Sequence, residues 1–157
     1  MKRVIIESPY AGRGDSNVDR WIDLSHNVKY ARRCMADALS RDEAPLASHL
    51  LYTQEGILDD DIPEERALGI EAGLVWGECA DQVCVYVDRG ITKGMVKGVE
   101  RAINEGREIV FRSLVSGEEV DIETLKSSLS CAFGGLAHAV DFFFSDPAGD
   151  RYLGEDQ

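Results

Sequence analysis

The sequence predicts an α/β protein: a three-layer α/β/α sandwich around a mostly parallel sheet of four to five strands, with a C-terminal helical extension. Three observations carry this. Short apolar, β-branched runs alternate with longer segments of helical periodicity, giving βαβαβαβ over residues 1–115. The segments between successive runs are long enough for the crossovers that parallel strands require. Residues 82–106, QVCVYVDRGITKGMVKGVERAINEG, hold one complete unit of strand, glycine-containing turn and helix. A composition break at Ser116-Gly117-Glu118-Glu119 separates the α/β domain, residues 1–115, from the extension, residues 116–157.

Residues 2–7 form the first strand, which stops at Ser8-Pro9-Tyr10, because proline removes a donor and holds the residue before it extended. Residues 11–17 read as a loop. Residues 18–39 then place Trp21, Leu24, Val28, Ala31, Met35, Ala38 and Leu39 near one helical face, with Ser16, Asp23 and Ser25 as alternative N-caps. Residues 40–45 read as a charged turn and 46–52, LASHLLY, as the second strand. The acidic loop 53–61 leads to Asp61-Ile62-Pro63-Glu64-Glu65, a helix start with an acidic cap and proline at the first helical position.

That helix carries Gly69, Gly73 and Gly77 in one row. An interior glycine costs about 1 kcal/mol relative to alanine, so the row predicts the close approach of another backbone. Residues 82–87 give the third strand, and Met95, Val99, Ala102 and Ile103 the stripe of the next helix, closed by Gly106. Residues 108–112 give the fourth strand, in a predicted order 2-1-3-4. Beyond it, Leu125, Leu129, Phe133, Leu136 and Val140 form an apolar helical row ending at Phe142-Phe143-Phe144. That patch is expected to be covered by the domain or by a second copy.

Composition narrows the function. Hydrophobic content of 44% and charged content of 29% suit a globular domain, and no apolar run reaches membrane-spanning length. The N-terminal apolar run is too short for a signal peptide, which predicts a cytoplasmic protein. A formal net charge of −12 argues against a nucleic-acid partner, although helix N-termini can still bind a small anion. The four cysteines show no CxxC spacing and the three histidines are scattered, so neither a metal nor a cofactor is expected.

In a sheet ordered 2-1-3-4, ligands sit at the carboxyl ends of the first three strands. This selects Ser8, Pro9, Tyr10, His49, Tyr52 and Gln54, then Asp88, Gly90, Thr92, Gly94 and Met95 around the central turn. Tyrosine and methionine offer walls for a base, the hydroxyls and amide offer hydrogen bonds, and the glycines let a ligand approach the backbone. Asp88 is the candidate ribose-binding or acid/base carboxylate, against the alternative that it caps the following turn. Asp60 is a candidate for a ligand hydroxyl. His49, inside an apolar run, reads first as a core or supporting histidine.

These residues carry a resemblance. Ser8-Pro9-Tyr10, Ser48-His49 and residues 88–106 resemble the nucleoside 2-deoxyribosyltransferase-like, Rossmann-like superfamily. SHLLYTQ, LDDDIPEERALGIEAG, VYVDRGITKGM and GVERA resemble, more closely, a family of phage and bacterial proteins placed in it, over residues 4–114. The resemblance implies a nucleoside or nucleotide ligand and a homo-oligomer in which neighbours complete the site. It also implies a nucleophilic glutamate on the helix after the third strand. This sequence departs there: matching from Gly94-Met95 puts Val96 at that position, and matching back from Ala102 and Gly106 puts Gly98 there. Glu100 lies two residues beyond Gly98, about 200° round the helix.

Two functions fit these residues. One is a nucleotide-binding protein, a sensor or sequestering protein, that lacks the transferase nucleophile. The other is an enzyme acting on an N-glycosidic bond, with Asp88 as acid/base and Tyr10 positioning the sugar.

Overall fold

The computed structural model describes residues 1–121, so the predicted extension helix and its phenylalanine patch lie outside the described residues. Residues Met1–Val120 form one compact unit. The elements are β1 (Lys2–Glu7), α1 (Asn17–Ser40), β2 (Glu43–Leu46), α2 (Ser48–Leu51), α3 (Pro63–Gly77), β3 (Gln82–Tyr86), α4 (Lys93–Asn104) and β4 (Glu108–Arg112). The sheet runs β2-β1-β3-β4, every pair parallel.

β1 and β3 are central, and Val4, Ile5 and Ile6 of β1 and every residue of β3 are buried because helices cover both faces. Alternation along each strand divides the core in two. Val4, Ile6, Cys84 and Tyr86 pack with Tyr30, Cys34 and Ala38 of α1. Ile5, Val83 and Val85, also buried, take the alternate positions, and the second helical layer supplies the buried Met95 and Ala102 of α4. α1 begins at Ser16, whose hydroxyl accepts from the Asp19 N–H at 3.1 Å while the Asp19 carboxylate accepts from the Ser16 N–H. This reciprocal cap selects Ser16 among the three candidates.

Two local readings need correction. The second strand is Glu43–Leu46 rather than residues 46–52. Pro45 looks like a breaker in the sequence, but among the described residues β2 pairs only with β1, and an edge strand tolerates a missing donor. The following SHLL forms a single helical turn, with the Leu50 and Leu51 N–H groups donating to Ala47. His49 therefore stands on a helix. The cap of α3 also differs: Pro63 takes the first helical position, but the N-cap is Ile62, without a side-chain bond. Asp61 instead donates its own N–H to Asp59 Oδ1 at 3.0 Å.

The glycine row of α3 faces side chains more than backbone. A Cβ on Gly73 would lie 2.5 Å from Ser48 Oγ, one on Gly69 would meet Leu58 and Tyr52, and one on Gly77 would meet the Arg107 guanidinium. The row lets α2 and the turn before β4 close onto α3.

Among the described residues no helix is long and apolar enough to cross a membrane. No cluster of three or more His, Cys, Asp or Glu suited to a metal ion occurs there either. Cys34 and Cys84 are free and buried, and burial pushes both thiols up to about 12; Cys79 is free and exposed.

Candidate functional site

A cavity of about 130 Å³ opens at the carboxyl edge of the sheet, between the end of β1, α2, the glycine face of α3 and the N-terminus of α4. It holds on the order of ten waters, the scale of a small organic molecule rather than a lone ion.

The β1 end supplies Glu7, Ser8 and Tyr10. Asn27 of α1, fully buried, holds this segment by donating from Nδ2 to the carbonyls of Tyr10 (3.0 Å) and Ala11 (3.2 Å). Ser8 Oγ and His49 Nε2 share a hydrogen bond of 2.9 Å, and the Tyr10 and His49 rings meet edge to face at 6.1 Å. Burial pushes His49 down to about 4, so its imidazole is neutral at physiological pH. The α2 turn orients that ring because Thr53 Oγ1 closes it, donating to the His49 carbonyl at 2.6 Å.

The α4 end supplies Thr92, Gly94, Met95 and Gly98. Thr92 caps the helix, its hydroxyl accepting from the Met95 N–H at 3.4 Å. A Cβ on Gly94 would meet nothing closer than 3.8 Å, so the first turn of α4 stands open to a ligand. From the loop and α3 come Tyr52, Asp60, Glu65 and Arg66. Asp60 is ion-paired to Arg66, and Glu65 accepts the Asp59 N–H at 2.6 Å. Burial raises the Asp60 carboxyl, with Arg66 opposing.

Of the residues selected from sequence, Ser8, Tyr10, His49, Tyr52, Asp60, Thr92, Gly94 and Met95 line this cavity together. Four others do not. Pro9 is packed inside the fold. Gln54 is exposed and donates to the Leu51 carbonyl at 3.1 Å, closing the α2 turn. Gly90 adopts a φ of 81° in a tight turn, its N–H on the Val87 carbonyl.

Asp88 is held in an exposed turn as a structural acceptor. It takes hydrogen bonds from Tyr30 Oη (2.7 Å), Ser113 Oγ (2.5 Å) and the Leu114 N–H (2.8 Å). Burial works against its charge, but these bonds outweigh it and keep the carboxyl below its ordinary value. Replacing Asp88 by alanine is expected to cost about 1–2 kcal/mol, because the turn after β4 loses its acceptor. Urea unfolding of the two proteins checks this.

Glu7 was not singled out in the sequence. It reads there as the last residue of a strand, and its only signal is an acid closing an apolar run at the sheet edge where ligands bind. Its carboxylate occupies the space before Gly98: a Cβ at that glycine would lie 2.0 Å from Glu7 Oε1 and 2.6 Å from Cδ. No hydrogen bond reaches this carboxylate among the described residues, although Arg107 attracts it through space. Burial, only partly offset by Arg107, pushes Glu7 up to about 8.

The profile of one family, described as a domain of unknown function (DUF7768), matches residues 2–112. The chain belongs to that family. No curated protein matches it in sequence. Among solved structures, the DUF7768 domain is similar to a 2-deoxyribosyltransferase from Bacillus psychrosaccharolyticus, at 12% identity and a TM-score of 0.53. The match covers 78% of this chain and 79% of that one. At such identity the likeness speaks for the fold, a parallel Rossmann-like sheet flanked by helices.

Proposed function

We propose that this domain binds a nucleoside or nucleotide in the cavity at the carboxyl edge of the sheet. The supporting observation is the division of its lining. Tyr10, Tyr52 and Met95 give apolar and aromatic surface suited to a base, while the Ser8–His49 pair gives hydrogen-bonding groups suited to sugar hydroxyls. The open first turn of α4, with Thr92 and Gly94, suits a phosphate. The likeness in fold to a deoxyribosyltransferase favours the same ligand class. A sensor, a sequestering protein and an N-glycosidic enzyme all begin with this binding step.

Thermal unfolding with the common ribo- and deoxyribonucleosides and their 5′-monophosphates tests the reading. A ligand at one hundred times its Kd adds about 2.7 kcal/mol, which raises the melting temperature by roughly 8–11 °C in a domain of this size. His49→Ala and Tyr10→Ala are expected to shrink the rise at equal ligand concentration. If no nucleoside or nucleotide moves the melting temperature, the reading is wrong.

A further inference from the structure

We propose that Glu7 is a catalytic acid that cleaves the N-glycosidic bond of the bound nucleoside or nucleotide by hydrolysis. This rests on the binding reading above and extends it by a reaction and a residue.

Placement is the first support. Glu7 ends β1, a central strand paired on both sides, and its backbone is in register with Val85 of β3. Ser8, the next residue, is fixed by His49 at 2.9 Å. The carboxylate is therefore aimed into the cavity from the most rigid part of the sheet, as a reacting group must be.

Isolation is the second. Among the described residues three carboxylates line the cavity, and two are committed: Asp60 to Arg66 and Glu65 to the Asp59 N–H. Glu7 accepts no hydrogen bond among the described residues. Glu7 is partly buried, and an acid left without a partner at the edge of a cavity is the kind of group that concentrates where its chemistry is used.

The third is the space made for it. With Gly98 in the middle of α4, any larger residue would put its Cβ within 2.0 Å of the Glu7 oxygen. A mid-helix glycine weakens α4 by about 1 kcal/mol relative to alanine, and here that glycine seats the carboxyl group.

The surroundings set the proton. Among the described residues Arg107, in the turn before β4, is the one charge that favours ionised Glu7, and it is itself paired with Glu105 at 2.6 Å. His49 on α2 is neutral. Tyr10 and Tyr52 also line the cavity, and the Asp60–Arg66 pair with Glu65 stands on the α3 side. Burial dominates, so Glu7 carries its proton at neutral pH. A neutral carboxylic acid beside a glycosidic bond is equipped for general-acid catalysis.

The step balances with water alone. The Glu7 proton passes to a ring nitrogen of the base as the C1′–N bond breaks, and the bonding pair leaves with the base. A water oxygen bonds to C1′, and the proton shed by that water returns to the Glu7 carboxylate. The products are the free base and the free sugar or sugar phosphate.

The test compares the parent protein with Glu7→Gln, which keeps the shape and removes the acidic proton. Both are incubated with the nucleosides and 5′-monophosphates above; released base is quantified by chromatography and binding by the melting shift. The parent is expected to release base, with kcat falling as pH rises through about 8. Glu7→Gln is expected to lose at least about a hundredfold in kcat while keeping the ligand-induced melting shift. Gly98→Ala, which displaces the carboxylate from the helix side, is expected to lose turnover as well. A melting shift without base release in the parent overturns the assignment but leaves the binding reading standing. So does release unchanged in either variant, or a rate that climbs with pH through that range. No shift and no release in the parent removes both.

Discussion

Glu7→Gln is expected to unfold at a higher temperature than the parent above pH 8, and at the same temperature near pH 4. The carboxyl titrates near 4.5 when unfolded and near 8 when folded. Between those values the native state holds a proton that the unfolded state has released. Parent stability therefore falls as pH rises from about 4.5 to about 8, and is flat on either side. Glutamine carries no such slope. The full shift corresponds to roughly 4–5 kcal/mol, and because the side chain is only partly buried, a gain of about 2–3 kcal/mol is the expected measurement. Melting temperatures of both proteins between about pH 4 and 9 check this, and parallel curves would show that Glu7 titrates normally. A substitution that strengthens the fold while removing turnover is the mark of a group kept for chemistry.

Glu43→Ala is expected to lose about 3 kcal/mol. The Arg112 guanidinium is 3% exposed and holds Glu43 in a bidentate pair at 2.6 and 2.8 Å, tying β4 to β2 across the two central strands. Its other carboxylate contact, Glu119 at 3.6 Å, is exposed and contributes little. Removing Glu43 strands a buried cation, which costs far more than the pair's net contribution. The double variant Glu43→Leu/Arg112→Met should recover most of the loss, since neither charge then remains. Denaturant unfolding of the three proteins measures the coupling, and a double variant as unstable as the single one would refute this account.

The central fold was legible because its signals are periodic and local. QVCVY is too short and too apolar for anything but a buried strand, and Thr92 followed by a 3.6-residue stripe marks α4. β2 was misread because LASHLLY is apolar without strict alternation, while EAPL contains a proline. Only its place at the sheet edge makes that proline acceptable, and an edge is a property of the whole sheet. The site followed the same division. The rule that ligands sit at the carboxyl ends of parallel strands gathered Ser8, Tyr10, Tyr52, Thr92, Gly94 and Met95, all of which line the cavity. The rule does not say which way a turn residue points. Asp88 is spent on Tyr30, Ser113 and Leu114, partners distant in sequence whose convergence no spacing reveals. Glu7 carries no motif; its character comes from burial and from a glycine on another element.

The contact between Glu7 and Gly98 has a consequence for how this site can vary. Positions 7 and 98 reach the same space: a Cβ at 98 would lie 2.0 Å from Glu7 Oε1. A carboxylate can enter that space from the strand or from the helix. A side chain acquired at 98 displaces the end of the Glu7 side chain, so a change at one position bears on what the other can hold. A comparison made column by column would record a lost acid in one place and an unremarkable one in the other, although the cavity had kept its carboxylate throughout.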